Sequence, residues 1–87
     1  MVSKNVTVIN PEGLHARPAG ALCKFAKSHP EVVITVGYGG RTINAQSLFA
    51  IMTAGINCGA EVSLEVSGKE EQAVLDELVK LFEKGFS

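Results

Sequence analysis

The sequence predicts an α+β fold, with helices on one face of a sheet and solvent on the other, from three observations. Glu61-Val62-Ser63-Leu64-Glu65-Val66-Ser67 alternates polar and apolar residues, as a strand with one buried face must. Ala19, Leu22, Cys23 and Ala26, and later Val74 and Leu78, recur at helical spacing, so two helices each carry one apolar stripe. Strand-like and helix-like segments follow one another as βαββαβα along 87 residues, which suits one domain over 1–87 with a single core. Two split halves of a ferredoxin-like module would share this order, and element order alone does not separate the possibilities.

The first strand is expected over Val2 to Ile9, with Val6 and Val8 on one face and Thr7 and Ile9 on the other. Asn10-Pro11-Glu12-Gly13 ends it as a turn cluster. A helix follows from about Ala16 to Lys27, with Lys24 and Lys27 near its C-terminal end, where positive charge suits the dipole. Ser28-His29-Pro30 stops it. Val32 to Val36 is β-branched and reads as a well-buried strand. Gly37-Tyr38-Gly39-Gly40 reads as a hairpin turn, with Tyr38 on the surface, and Arg41 to Asn44 as the returning strand.

Ser47 is the expected N-cap of a short helix ending near Thr53. Its apolar run divides in the reading, Ile51 and Met52 or a similar pair packing inward while Leu48 and Phe49 form an exposed patch. The strand over Glu61 to Ser67 follows. Ser67-Gly68-Lys69-Glu70 has capping-box spacing for a last helix from about Lys69 to Lys84, burying Val74, Leu78 and Leu81 with flanking Leu75 and Phe82. Asp76 and Lys80 are placed to pair at i,i+4 on its outer side.

Composition narrows the function. The apolar share of 46% and charged share of 20% are those of a folded protein, and a net charge of −1 provides no field for nucleic acid or an anionic membrane. No run is long enough to span a bilayer and the start has no signal-peptide core, so the expected location is the cytoplasm. Cys23 and Cys58 form no CxxC pair and no histidine stands at zinc-ligand spacing, so no metal is expected, and Cys23 reads as a small core residue. Neither GxxxxGK[ST] nor GxGxxG occurs, and no nucleotide cofactor is expected.

Chemistry concentrates in Gly13-Leu14-His15-Ala16-Arg17-Pro18-Ala19. Pro18 is tolerated in a first helical turn because the amides there lack intrahelical partners, and those amides with the positive dipole end favour an anion. His15 at that helix mouth can accept a phosphoryl group, and the planar fork of Arg17 can hold its oxygens. Attack from a ring nitrogen needs the neutral imidazole, which the helix end and Arg17 favour. The same positive groups then stabilise the phosphorylated product. His29, beside Pro30, reads as structural.

This stretch, with Asn44-Ala45-Gln46-Ser47-Leu48-Phe49 and Gly55-Ile56, resembles the HPr phosphocarriers of the bacterial sugar phosphotransferase system over essentially the whole chain. The resemblance implies an open-faced sandwich, a four-stranded antiparallel sheet under three helices. It implies a monomeric carrier rather than an enzyme, taking a phosphoryl group from enzyme I on Nδ1 of His15 and passing it to sugar-specific IIA domains. Arg17 would be the phosphate clamp, with Gly13 and Pro18 structural. Leu48, Phe49 and Met52, with Lys24 and Lys27, would form the partner surface. The serine matching Ser47 is phosphorylated by an HPr kinase/phosphorylase in many such proteins, where the added charge bears on docking and on a catabolite regulator. Gln46 stands where the family often has lysine. Competing readings are a regulatory paralogue acting mainly through phosphorylated Ser47, a carrier in a nitrogen-related branch, and a small-ligand module of ferredoxin-like topology.

Overall fold

The computed structural model describes residues 1–86. Its elements are β1 (Val2–Thr7), α1 (Ala16–Lys27), β2 (Val32–Tyr38), β3 (Arg41–Asn44), α2 (Leu48–Thr53), β4 (Glu61–Gly68) and α3 (Glu71–Glu83). The strands form one antiparallel sheet in the order β1-β4-β2-β3, which makes β4 and β2 its centre.

Register explains why one face is buried. Val6 lies opposite Val62, Val2 opposite Val66 and Val66 opposite Ile34, while Leu64 faces Val36 and Val36 faces Ile43. These side chains share a face and, Val2 excepted, are buried with Leu22, Ala26, Ile51, Leu78 and Phe82 from the helices. The opposite face carries Ser3, Glu65, Thr35 and Asn44 in one cross-strand row and Asn5, Ser63, Gly37 and Thr42 in the next. Short polar side chains let this face stay in water, and Thr35 donates a hydrogen bond to Glu65 across it. The fold is thus the expected open-faced sandwich.

Several local expectations are corrected. β2 is half-buried rather than well buried, because alternation sends Val33 to the open face at 63% exposure. The strand also runs further, through Gly37 and Tyr38, so the hairpin turn is only Gly39-Gly40, both at positive φ. Tyr38 is therefore a strand residue packed partly on the core, not a surface turn residue. β1 ends at Thr7, and its apolar alternation continues beyond the ladder with Val8 buried and Ile9 exposed.

The capping box does not form. Ser67 is paired with Val33 in the ladder, and Glu70 is left-handed at the start of α3 without a side-chain cap. Glu71 takes over one residue later, its Oε1 accepting the Gly68 amide at 3.1 Å. The buried stripe of α3 is Val74, Leu75, Leu78, Val79 and Phe82, with Leu81 only half-buried. α3 packs on both β1 and β4, which turns Val79 inward. Asp76 accepts from Gln72 at 3.0 Å instead of pairing with Lys80.

Candidate functional site

His15 owes its place to two loops zipped together. Gly13 adopts φ +63°, and its α-carbon faces the backbone of Ile56 and Asn57 so closely that a Cβ would lie 2.4 Å from the Ile56 carbonyl oxygen. Only glycine fits there. The Leu14 amide then donates to Ile56 O at 2.9 Å, and Leu14 itself is fully buried. Asn10, almost fully buried, donates its side-chain amide to the Gly13 carbonyl, and Gly13 N–H returns a bond to Asn10 O at 3.0 Å. On the facing loop, Gly59 N–H donates to Val8 O at 2.7 Å and Val8 N–H to Ala60 O at 2.8 Å.

His15 stands on this platform as the residue preceding α1, extended at φ −114° and ψ 160°, half-exposed, and making no side-chain cap of its own. Its Nε2 is 3.2 Å from Asn57 Oδ1. Ala16, the first helical residue, sits at φ +46°, a left-handed conformation that costs an L-residue about 1–2 kcal/mol. No acidic side chain occupies the first turn of α1. The amides of Ala16 and Arg17 thus meet the positive dipole end without a competing carboxylate. Arg17 is exposed and makes no hydrogen bond or ion pair with the described residues. Pro18 is buried in the same turn, where its missing N–H costs nothing.

Ser47 is the N-cap of α2, as expected, its Oγ accepting the Ala50 amide at 3.2 Å. α2 packs against α1, and Cys23 Sγ donates to the Gln46 carbonyl at 3.4 Å, so the approach to α2 is tied to the buried side of α1. Ile51 is the one fully buried side chain of α2, whereas Phe49 is 79%, Leu48 43% and Met52 41% exposed. The inward reading of Met52 is thereby corrected, because a six-residue helix has only one inward face to fill. Lys24 and Lys27 are exposed in the last turn of α1.

Two cavities lie elsewhere. One of about 490 Å³ is lined by Phe25, His29, Glu77, Lys80, Leu81 and Lys84, at the far end of α1 from His15. Another of about 360 Å³ lies beside the β2–β3 hairpin. His15 and Arg17 line neither and sit on an open surface. His29 matches its structural reading, its Nδ1 lying 2.9 Å from the Phe25 carbonyl at the end of α1.

Sequence reasoning missed Asn10 and Asn57. The first was discernible, since asparagine before a turn glycine is the signature of a side-chain-to-backbone turn. The second carries no signal in a single sequence, because 42 residues separate Asn57 from the ring it meets.

Comparison with known proteins points to one family. A family model described as "PTS HPr component phosphorylation site" matches residues 2–84. The phosphocarrier protein HPr of Haemophilus influenzae is 38% identical over 93% of this chain and 94% of its own length. That of Treponema pallidum is 36% identical over 99% and 97%. A crystal structure of HPr from Thermoanaerobacter tengcongensis superposes with a TM-score of 0.93 at 32% identity, covering 99% of this chain and 96% of the other.

Proposed function

We propose a function from one premise: this chain belongs to the HPr family, the phosphocarrier proteins of the phosphotransferase system. In this reading phosphorylated enzyme I transfers its phosphoryl group to Nδ1 of His15, and a histidine on a sugar-specific IIA domain takes it onward. The carrier acts in the cytoplasm as a single domain over 1–87. The supporting observation is the half-exposed His15 at the mouth of α1, beside an Arg17 that pairs with none of the described residues.

The division of labour follows from charge. The phosphoryl group arrives with two negative charges, which the first-turn amides of α1 and the fork of Arg17 meet as they move. Gly13 and Pro18 keep the ring and the helix entry in register. Neither cavity described serves His15, which suits a carrier whose donors and acceptors are proteins and whose site needs an approachable surface. Leu48, Phe49 and Met52 provide the apolar part of that surface, and Lys24 and Lys27 provide positive charge on the adjoining helix.

Ser47 is the regulatory position in this reading, modified by an ATP-dependent HPr kinase/phosphorylase. A phosphate on its Oγ would add nearly two negative charges at the edge of the docking patch, against an acidic partner.

Phosphoenolpyruvate and a general enzyme I, with intact mass read before and after mild acid, test the carrier reading. One acid-labile phosphoryl group is expected on the wild type and none on His15→Ala, which stays folded because the ring is half-exposed and its one side-chain hydrogen bond among the described residues is to Asn57. An unlabelled wild type beside a competent control carrier would sink the proposal. Ser47→Asp should slow labelling by enzyme I about tenfold, the order expected when a like charge is placed against a charged docking partner. An unchanged rate would remove Ser47 from regulation of this step.

A further inference from the structure

We infer that Asn57 is a positioning residue for His15, holding the ring by its Nε2–H so that the Nδ1 lone pair faces outward and the ring's new charge is met on phosphorylation. This deepens the phosphocarrier reading and rests on it. The contact is His15 Nε2 to Asn57 Oδ1 at 3.2 Å. A carboxamide oxygen only accepts, so the neutral ring carries its proton on Nε2 and its lone pair on Nδ1. No described residue bonds to Nδ1.

The partners are held by backbone, not left to meet by chance. Leu14 N–H donates to Ile56 O at 2.9 Å on one side of the pair, and Ala60 N–H donates to Asn57 O at 3.0 Å on the other. Leu14 and Ile56 are both fully buried, and Gly13 abuts the Asn57 backbone. The loop bearing the ring and the loop bearing its acceptor are therefore one unit.

The chemistry gives that unit a task. As the lone pair of Nδ1 forms a bond to phosphorus, the donor's N–P bond breaks and its electron pair returns to the donor nitrogen. The donor ring, protonated on its other nitrogen, leaves as neutral imidazole. His15 keeps its Nε2 proton throughout and takes on the positive charge. The bond to Asn57 thus changes from neutral to charge-assisted, roughly a doubling in strength. An interaction stronger in the transition state than in the ground state raises the turnover rate rather than the affinity.

The experiment compares the full chain with Asn57→Leu and Asn57→Gln. The leucine removes the acceptor at similar volume; the glutamine restores a neutral carboxamide oxygen. Imidazole ¹⁵N shifts of His15 report which nitrogen is protonated, and enzyme I kinetics separate kcat from KM. In the wild type Nε2 should read as protonated and Nδ1 as a free lone pair. Asn57→Leu should blur that distinction and lower kcat about tenfold with KM unchanged, and Asn57→Gln should recover both. A leucine variant with wild-type kcat, or with unchanged ring shifts, would overturn the inference. So would a loss carried by KM, which would make Asn57 a docking residue. A wild type that accepts no phosphoryl group would overturn the carrier reading instead, and the ring shifts would still show whether Asn57 sets the tautomer.

Discussion

Gly13 shows how much of the site depends on atoms that do no chemistry. At φ +63° it sits in the left-handed region, and the space where a Cβ would stand is taken by backbone, which cannot swing aside as a side chain can. Gly13→Ala is therefore expected to cost about 2–3 kcal/mol. Melting would fall by roughly 8–24 °C for a domain of this size, and a drop below a few degrees would show that the two loops part easily. The variant should also lose phosphoryl transfer, because the loop that yields is the one carrying His15. Ala16 makes the opposite choice, holding a left-handed conformation without being glycine, so some conformational energy is stored next to the ring.

At the scale of elements, α3 begins with an arrangement that sequence pattern did not foresee. Glu71 accepts the Met1 amino group through Oε2 at 2.7 Å and the Gly68 amide through Oε1. The bond from the Met1 amino group, and then that from the Gly68 amide, hold its carboxyl below its ordinary value. The ionised carboxylate is thus favoured in the folded state, and its contribution is complete above the unfolded value and lost as pH falls through the lowered one. Wild type should melt above Glu71→Gln at pH 7, and by less at an acid pH where the carboxyl is protonated in both states. An equal gap at both pH values would mean that the glutamate acts through packing rather than charge. The β2–β3 connection follows the same logic of local geometry: two consecutive glycines at positive φ allow the tight two-residue turn that keeps Val36 opposite Ile43.

Over the whole molecule, large apolar side chains divide between two jobs. Phe82 is fully buried and meets the Phe86 ring edge-on at 4.7 Å, while Phe49 stands 79% exposed. Phe82→Ala should cost about 3–5 kcal/mol, a large part of the roughly 4–13 kcal/mol that a chain of this length holds. Phe49→Ala should leave stability within about 0.5 kcal/mol and raise KM for enzyme I several-fold. Thermal melts and transfer kinetics on the pair check this together. A destabilised Phe49→Ala with unchanged KM would return that side chain to the core and strike it from the docking surface.

Sequence alone settled the element order and the apolar faces of β1, β4 and α1, and it points to the stretch from Gly13 to Ala19 as the proposed place of chemistry. Those features are local: a period of two or of 3.6, a glycine, or a histidine beside a proline-bearing helix start is written in neighbouring residues. Glu61 to Ser67 could be read to within a residue for that reason. Tertiary structure alone decided which strands are neighbours, that Ser67 belongs to the ladder and not to a cap, and that Val79 rather than Leu81 faces inward. It also brought Asn57 to His15 and seated Gly13 against Ile56. Each of these depends on where a distant segment comes to rest. That position is set by the summed burial of the core and not by the intrinsic preference of any one residue.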